Sequence, residues 1–282
     1  MHSIRRKLVA VEGVISSGNG TAIVHLERGI DAQAVVQQLT AGSATSAQIT
    51  NTELFVNGKS RGEMSGADLD AYNAYIKRSA LASLSNCLFI PLAFYGSMDP
   101  GLTENSGVPF DGEVVKSAWL EITFSGATTP KAEYTVVGDL MRPSRVGGDM
   151  RTVVKTTATL ANLQKRILND LPYGKGMKAH RDLMRLFLVD GSGAVTDLEI
   201  ELDGVRKHKN NNLVDACIKD ALGRVTPGTY FCPIVYDAIE TGFPNGIELA
   251  EYNTNDGKLD IKATGNTDET LVALVEFLGP AA

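Results

Sequence analysis

Glu53-Leu54-Phe55-Val56-Asn57-Gly58 and Glu199-Ile200-Glu201-Leu202-Asp203-Gly204 are two versions of one pattern, 199 − 53 = 146 residues apart. In the first, Leu54 and Val56 alternate with Glu53 and Phe55, the period of a half-buried strand. Each version stops at Asn-Gly or Asp-Gly, a turn dipeptide whose residues tolerate positive φ. Further on, Phe89-Ile90-Pro91-Leu92 returns as Phe231-Cys232-Pro233-Ile234, an offset of 231 − 89 = 142. Trp119-Leu120-Glu121-Ile122 returns more weakly as Lys258-Leu259-Asp260-Ile261, an offset of 258 − 119 = 139. Three matches in the same order, each displaced by about half of 282 residues, predict two tandem copies of one β-rich domain, 1–145 and 146–282.

Between the turn and the proline strand the pattern changes period. Over 67–84, Leu69, Tyr72, Tyr75, Ile76 and Ala80 recur at helical steps, with Ser65 or Asp68 placed to cap the start. The second half offers Leu213, Ala216, Cys217, Ile218 and Leu222 as the same apolar face, closed by Gly223. Ala74-Tyr75-Ile76-Lys77 matches Ala216-Cys217-Ile218-Lys219, so the repeating unit reads strand, turn, helix, strand. Pro91 and Pro233 cannot donate to a ladder, which predicts an edge, a bulge or a break at both.

Further strands are expected over 9–15, 21–26, 47–56, 117–124, 134–140, 182–189, 195–202, 259–263 and 270–278. Turn formers separate many of them, among them Ser16-Ser17-Gly18-Asn19-Gly20, Asp190-Gly191-Ser192-Gly193 and Asn255-Asp256-Gly257. Residues 156–168 read as a helix with Leu160, Leu163 and Ile167 on one face, or Leu163 to Leu168 reads as the strand that starts the second domain's sheet. The aperiodic stretch from Met141 through Pro143 to Gly148 marks the domain boundary. The fold class is therefore all-β with short inserted helices: two tandem eight-stranded jelly-roll β-sandwiches.

Composition narrows the function. A net charge of −6 and a pI near 5.3 argue against general nucleic-acid binding. No apolar run reaches the length of a membrane helix, and Glu12 and Gly13 interrupt any signal-peptide core after the basic Arg5-Arg6-Lys7, so a cytoplasmic origin is expected. Cys87, Cys217 and Cys232 have neither disulfide nor zinc spacing, and Cys87 and Cys232 read as buried thiols. The histidines, His2, His25, His180 and His208, are scattered, and no nucleophile elbow, metalloprotease helix or phosphate loop occurs. No catalytic residue, metal site or cofactor is expected. Asn253-Thr254-Asn255-Asp256-Gly257 fits a hairpin turn better than a calcium loop, and Asp99 and Glu104 fit a surface loop better than cation ligands. Arg206-Lys207-His208-Lys209 reads as a solvated turn or a subunit contact, and Trp119 as a core or interface residue.

Strand–Asp/Asn-Gly–helix units in both halves resemble the double jelly-roll major capsid proteins of membrane-containing icosahedral bacteriophages, closest to the corticovirus type. The stretches carrying the resemblance are Thr52-Glu53-Leu54-Phe55-Val56-Asn57-Gly58, Asp197-Leu198-Glu199-Ile200-Glu201-Leu202-Asp203-Gly204, and the ending Glu269-Thr270-Leu271-Val272-Ala273-Leu274-Val275-Glu276-Phe277-Leu278. The resemblance implies a homotrimer imitating a hexagon, neighbouring trimers and minor vertex proteins as partners, and residence in the virion. It also implies an internal lipid membrane beneath the shell, which Arg5, Arg6 and Lys7 would approach. The loops 96–109 and 237–246 would serve as outer decorations or subunit contacts. A lectin-like tandem β-sandwich is the alternative, and it requires aromatic side chains exposed on one sheet face. A jelly-roll enzyme of the bicupin kind is the third reading, without the clustered histidines it needs.

Overall fold

The computed structural model describes residues 8–9, 18–39, 46–76, 87–95, 100–127, 132–139, 148–160, 165–167, 182–190, 193–221, 230–232, 234–239, 246–248 and 259–281. By contacts the chain divides into two units, Met1–Thr152 with Gly279–Ala282 and Val153–Leu278.

The first unit contains β1 (Leu8–Val9), β2 (Gly18–His25), β3 (Asp31–Leu39), β4 (Ile49–Val56), β5 (Lys59–Met64), helix α1 (Gly66–Ile76), β6 (Cys87–Pro91), helix α2 (Pro100–Asn105), β7 (Val108–Pro109), β8 (Ala118–Ala127) and β9 (Ala132–Asp139). One sheet runs β1-β9-β3-β6, with the short β7 beside β3; the other runs β2-β8-β4-β5. Successive strands therefore cross from sheet to sheet except at the β4–β5 hairpin and between β6 and the short β7, which is jelly-roll connectivity. Alternation decides which side chains go inside: Ala22, Val24, Leu54, Val56, Leu120 and Ile122 are buried, while Thr21 and His25 between or beside them are exposed.

The second unit repeats this order with β10 (Asp149–Leu160), β11 (Lys165–Ile167), β12 (Asp182–Val189), β13 (Val195–Leu202), β14 (Val205–Asn211), helix α3 (Asn212–Ala221), β15 (Tyr236–Asp237), β16 (Ile247–Glu248), β17 (Leu259–Gly265) and β18 (Glu269–Pro280). Its sheets run β10-β18-β12-β15, with β16 beside β12, and β11-β17-β13-β14. Leu183, Leu186 and Leu188 of one sheet join Leu198, Ile200, Leu202 and Ile261 of the other in a single apolar cluster. Each such side chain contributes about 1.5–3 kcal/mol through removal from water.

The duplication is written most clearly in the irregularities. Asn57 and Gly58 hold φ of 51° and 74°, and Asp203 and Gly204 hold 50° and 78°. The β4–β5 register shifts between Leu54 and Phe55, and the β13–β14 register between Ile200 and Glu201. The ladder to the next strand shifts between Ile49 and Asn51 in one unit and between Val195 and Asp197 in the other. Every one of these pairs is separated by 146 positions. Helix starts follow suit: Ser65 Oγ accepts from the Asp68 amide (3.2 Å), and Asn211 Oδ1 from the Val214 amide (2.9 Å). Asp68 returns the bond to the Ser65 amide at 2.8 Å, completing a capping box.

Several expectations change. A strand stands between turn and helix in both units, β5 and β14, so the unit is strand, turn, strand, helix, strand. Its polar, basic or glycine-containing sequences, Lys59–Met64 and Val205–Asn211, hide the period-two signal because each lies at a sheet edge. β3, Asp31–Leu39, is a further strand beyond those expected. Gly18–Asn19–Gly20 opens β2 instead of ending a turn. Of the two readings near 156–168, the strand at 163–168 appears as β11, and residues up to 160 belong to another strand beyond those expected, β10. The second proline strand, at Phe231-Cys232-Pro233-Ile234, is broken: Phe231 bridges Val189, and named pairing resumes at Tyr236. Proline accounts for that kind of break; Pro91 likewise ends β6, an edge strand. Part of the loop 96–109 is built structure, since α2 and β7 lie in it and Leu102, Ser106 and Val108 are buried.

Candidate assembly surfaces

The outward face of the β2–β8–β4–β5 sheet is laid out in ranks by its register. One rank runs His25, Trp119, Phe55, Ser60; the next runs Ile23, Glu121, Glu53, Glu63. Trp119 is half-buried on this outer side, away from Leu120 and Ile122, so it is not a core residue. The Phe55 ring lies flat on it, 5.1 Å between centroids at 9°, and its Nε1 donates to Glu121 Oε1 at 2.8 Å. Phe55 covers one face of the indole, and no row of exposed aromatic side chains stands among the described residues of this face; the lectin-like alternative is not supported.

The second unit builds the corresponding face from charge. Glu201 and Asp260 stand where Phe55 and Trp119 stand, and Glu199 and Lys262 where Glu53 and Glu121 stand. Arg206 Nε lies 3.1 Å from Glu199 Oε1, and Lys262 pairs with Glu201.

The run Arg206-Lys207-His208-Lys209 lies along edge strand β14, not in a turn; Arg206, Lys207 and Lys209 are exposed and His208 is half-buried. The His208 ring meets the edge of Tyr236 at 5.1 Å. Burial lowers the His208 pKa, and the charge of nearby Asp215 opposes that in part. Burial likewise pushes the Tyr236 phenol up to about 12.

Helix α3 follows, and over Leu213–Cys217 its described side chains run against the ordinary rule. Asp215 is buried and accepts from Asn210 Nδ2 at 2.7 Å. Leu213 and Val214 are 81% and 45% exposed, and Ala216 and Cys217 are exposed with them. The periodicity makes Leu213, Ala216, Cys217, Ile218 and Leu222 a core-facing stripe; the structure places Leu213, Ala216 and Cys217 outside, and the side chains of Ile218 and Leu222 lie outside what it describes. Helix α1 follows the ordinary rule, burying Leu69, Tyr72 and Tyr75 and exposing Asp70.

Buried charges are structural. Arg185 follows a register shift in β12 and faces Asp237 and Glu276 on the strands to either side, at 3.0 and 3.7 Å. In the first unit Arg61 Nη2 donates to the Ala281 carbonyl (3.1 Å), and Arg151 Nη1 donates to the Pro91 carbonyl (2.7 Å) while its guanidinium covers the Tyr72 ring at 5.1 Å.

Among the described residues no group of three His, Cys, Asp or Glu side chains is gathered as a metal site. His25 is exposed on β2, and Glu104 is half-buried on α2. Cys232 is a buried free thiol and Cys217 an exposed one. The membrane-side candidates Arg5, Arg6 and Lys7 lie outside the described residues, as do His2, His180, Asp99 and the segment 253–257. No described helix is long and apolar enough to cross a membrane.

Two sandwiches of this connectivity in one chain form a double jelly roll, the architecture of the viral major capsid proteins on which the chain superposes. Major capsid protein P2 of bacteriophage PM2 matches over 99% of this chain and 98% of its own, with a TM-score of 0.75 at 15% identity. The capsid protein of Sulfolobus turreted icosahedral virus matches over 97% of both chains, with a TM-score of 0.62 at 11% identity. VP54 of PBCV-1 matches over 99% of this chain and 94% of its own, with a TM-score of 0.58 at 12% identity. At the level of sequence, no protein-family model and no curated protein matches the chain.

Proposed function

We propose that this chain is the major coat protein of an icosahedral virus with an internal membrane, acting as a homotrimer that tiles the shell as a pseudo-hexagon. The observation that carries the reading is end-to-end agreement with PM2 protein P2, 99% of one chain on 98% of the other, with neither jelly roll left over. The physical logic agrees with it. Three copies of two similar sandwiches present six similar units around a three-fold axis, and closed rings of this kind need head-to-tail contacts between unlike surfaces. Such a protein works by burying surface between subunits, so its working residues are spread over edges and helices. Assembled shells would bring neighbouring trimers and vertex proteins as partners and place the chain in the virion after synthesis in the host cytoplasm.

Light scattering on the purified protein tests this directly. The expected particle has three times the 30.1 kDa chain mass and a hexagonal outline in negative-stain images. A stable monomer at tens of micromolar would overturn the reading.

The basic segment Arg5-Arg6-Lys7 is proposed to meet the inner membrane. Each basic residue near an anionic surface contributes about 1 kcal/mol. Deleting residues 1–7 is expected to reduce binding to phosphatidylserine vesicles in low salt; unchanged binding removes that role and leaves the coat reading standing.

A further inference from the structure

We infer that Asn57 is a latent modification site: the folded turn withholds its side-chain amide from deamidation, and the reaction, once the hairpin has opened, makes that opening permanent. The inference is independent of the coat reading. It starts from the dipeptide. Asparagine followed by glycine is open to attack on its own side chain, because no Cβ shields the next backbone nitrogen. The Gly58 nitrogen attacks Asn57 Cγ, and its proton passes through water to Nδ2. A C–N bond forms, the Cγ–Nδ2 bond breaks, and Nδ2 leaves as ammonia. Water then opens the cyclic imide at either carbonyl, giving aspartate or isoaspartate. Nothing is oxidised or reduced.

The fold opposes this reaction through the backbone. Asn57 and Gly58 hold φ of 51° and 74°, the left-handed pair of a hairpin whose flanking residues Val56 and Lys59 stay paired. In that conformation ψ is about +47°. The next nitrogen then stands almost opposite Cβ across the Cα–C bond, so Asn57 Cγ and the Gly58 nitrogen are turned apart. They meet only after a rotation about ψ that breaks the pairing of Val56 with Lys59.

The side chain is held as well. Nδ2 donates to the Val114 carbonyl at 2.9 Å, and Oδ1 accepts from the Lys116 and Ser117 amides at 2.7 and 3.4 Å. The Asn57 amide donates to the Ser117 carbonyl at 2.9 Å. The loop supplying these groups is itself fixed, since Asp111 Oδ1 accepts from the Val114 and Val115 amides at 2.8 and 3.3 Å. Two donors on Oδ1 also polarise the carbonyl, which favours attack. That gain counts only where the reacting atoms can meet, so the geometry decides.

Either product undoes the latch. Isoaspartate adds a methylene to the main chain of a turn built for two residues at positive φ, and aspartate has no Nδ2 proton for Val114. Asp203, at φ of 50°, shows that the turn itself accepts a carboxylate. The bond to Val114 is what requires the amide.

The test incubates the full wild-type chain in mildly alkaline buffer with and without urea. Peptide mapping reads Asn57 by the mass gained when NH2 gives way to OH. Asn19-Gly20 and Asn245-Gly246, the other Asn-Gly pairs, serve as clocks in urea, where all are expected to react alike. In the folded chain Asn57 is expected to react at least about tenfold more slowly than in urea, because only molecules with an open turn react. Asp111→Ala releases the Val114 and Val115 amides without touching the dipeptide, and it is expected to speed the folded-state reaction several-fold. In a partly reacted, refolded sample, hydrogen exchange should split segment 112–118 into two populations, the fast one matching the fraction modified at Asn57. Equal rates with and without urea, an unchanged rate in Asp111→Ala, or a single exchange population overturns the inference. The first and last need no variant, so the test stands where Asp111→Ala does not fold.

Discussion

Asn57 and Asp203, 146 residues apart, share one left-handed backbone conformation, φ of 51° and 50°. Asn57 Nδ2 donates to the Val114 carbonyl at 2.9 Å, and its Oδ1 accepts from the Lys116 amide at 2.7 Å. It ties the hairpin to the loop that leads into β8. Replacing Asn57 with Gly keeps the conformation and loses those bonds, so a cost of about 1–3 kcal/mol is expected in urea unfolding. An Asn57→Gly variant as stable as the wild type would contradict that role.

Arg185 offers a larger effect. It is buried with Asp237 and Glu276, and removing it leaves two carboxylates in an apolar environment. Arg185→Met is expected to cost about 3–5 kcal/mol, and adding Asp237→Asn and Glu276→Gln should recover much of that. The measurement is the denaturation midpoint of the three proteins.

The pH dependence has a sign at each end. Burial lowers the His208 pKa, so the unfolded chain binds more protons than the folded one below the ordinary value of 6.5. The stability that His208 contributes is full above 6.5 and is lost as pH falls toward its depressed folded value. Tyr236 is raised from 10.0 to about 12, and its contribution is lost as pH rises through that interval. Thermal melts of His208→Gln are expected to fall less steeply between about pH 7 and 5 than those of the wild type.

Gly66 is fixed by contact. A Cβ there would stand 1.8 Å from the Ser46 carbonyl oxygen, a backbone atom that cannot step aside. Gly66→Ala is expected to cost at least about 1–3 kcal/mol despite the better helix propensity of Ala, by lifting α1 from the chain beneath it. A neutral or stabilising result in thermal melts would mean that α1 does not pack this closely.

Much of the fold was legible because burial leaves a period in the sequence. Leu54/Val56 and Ile200/Leu202 alternate, the Asn-Gly and Asp-Gly turns sit at positive φ, and helix α1 is capped by Ser65 as expected. Register was less legible, for a geometric reason. A strand slipped by two residues, or a helix by about one turn, keeps the same face inside. The match of Leu120 to Leu259 is such a slip: Ala118 opposite Val56 and Leu259 opposite Leu202 are the true counterparts, 141 apart. The Pro91–Pro233 match is another, since Pro91 opposite Ala34 corresponds to Asp237 opposite Arg185.

The candidate surfaces were legible only as residue types. Arg206-Lys207-His208-Lys209 stood out as basic and Leu213-Ala216-Cys217 as an apolar stripe, but a stripe does not say which way it faces. By itself, then, the sequence determined the duplication, the sandwich class and the turn that punctuates each half, because these depend on local conformational preference and on periodicity. Only the tertiary structure decided the pairing registers, the burial of Arg61 against the exposure of Lys207, and the outward turn of α3. Those depend on which distant segment covers a surface, and no spacing along the chain carries that information.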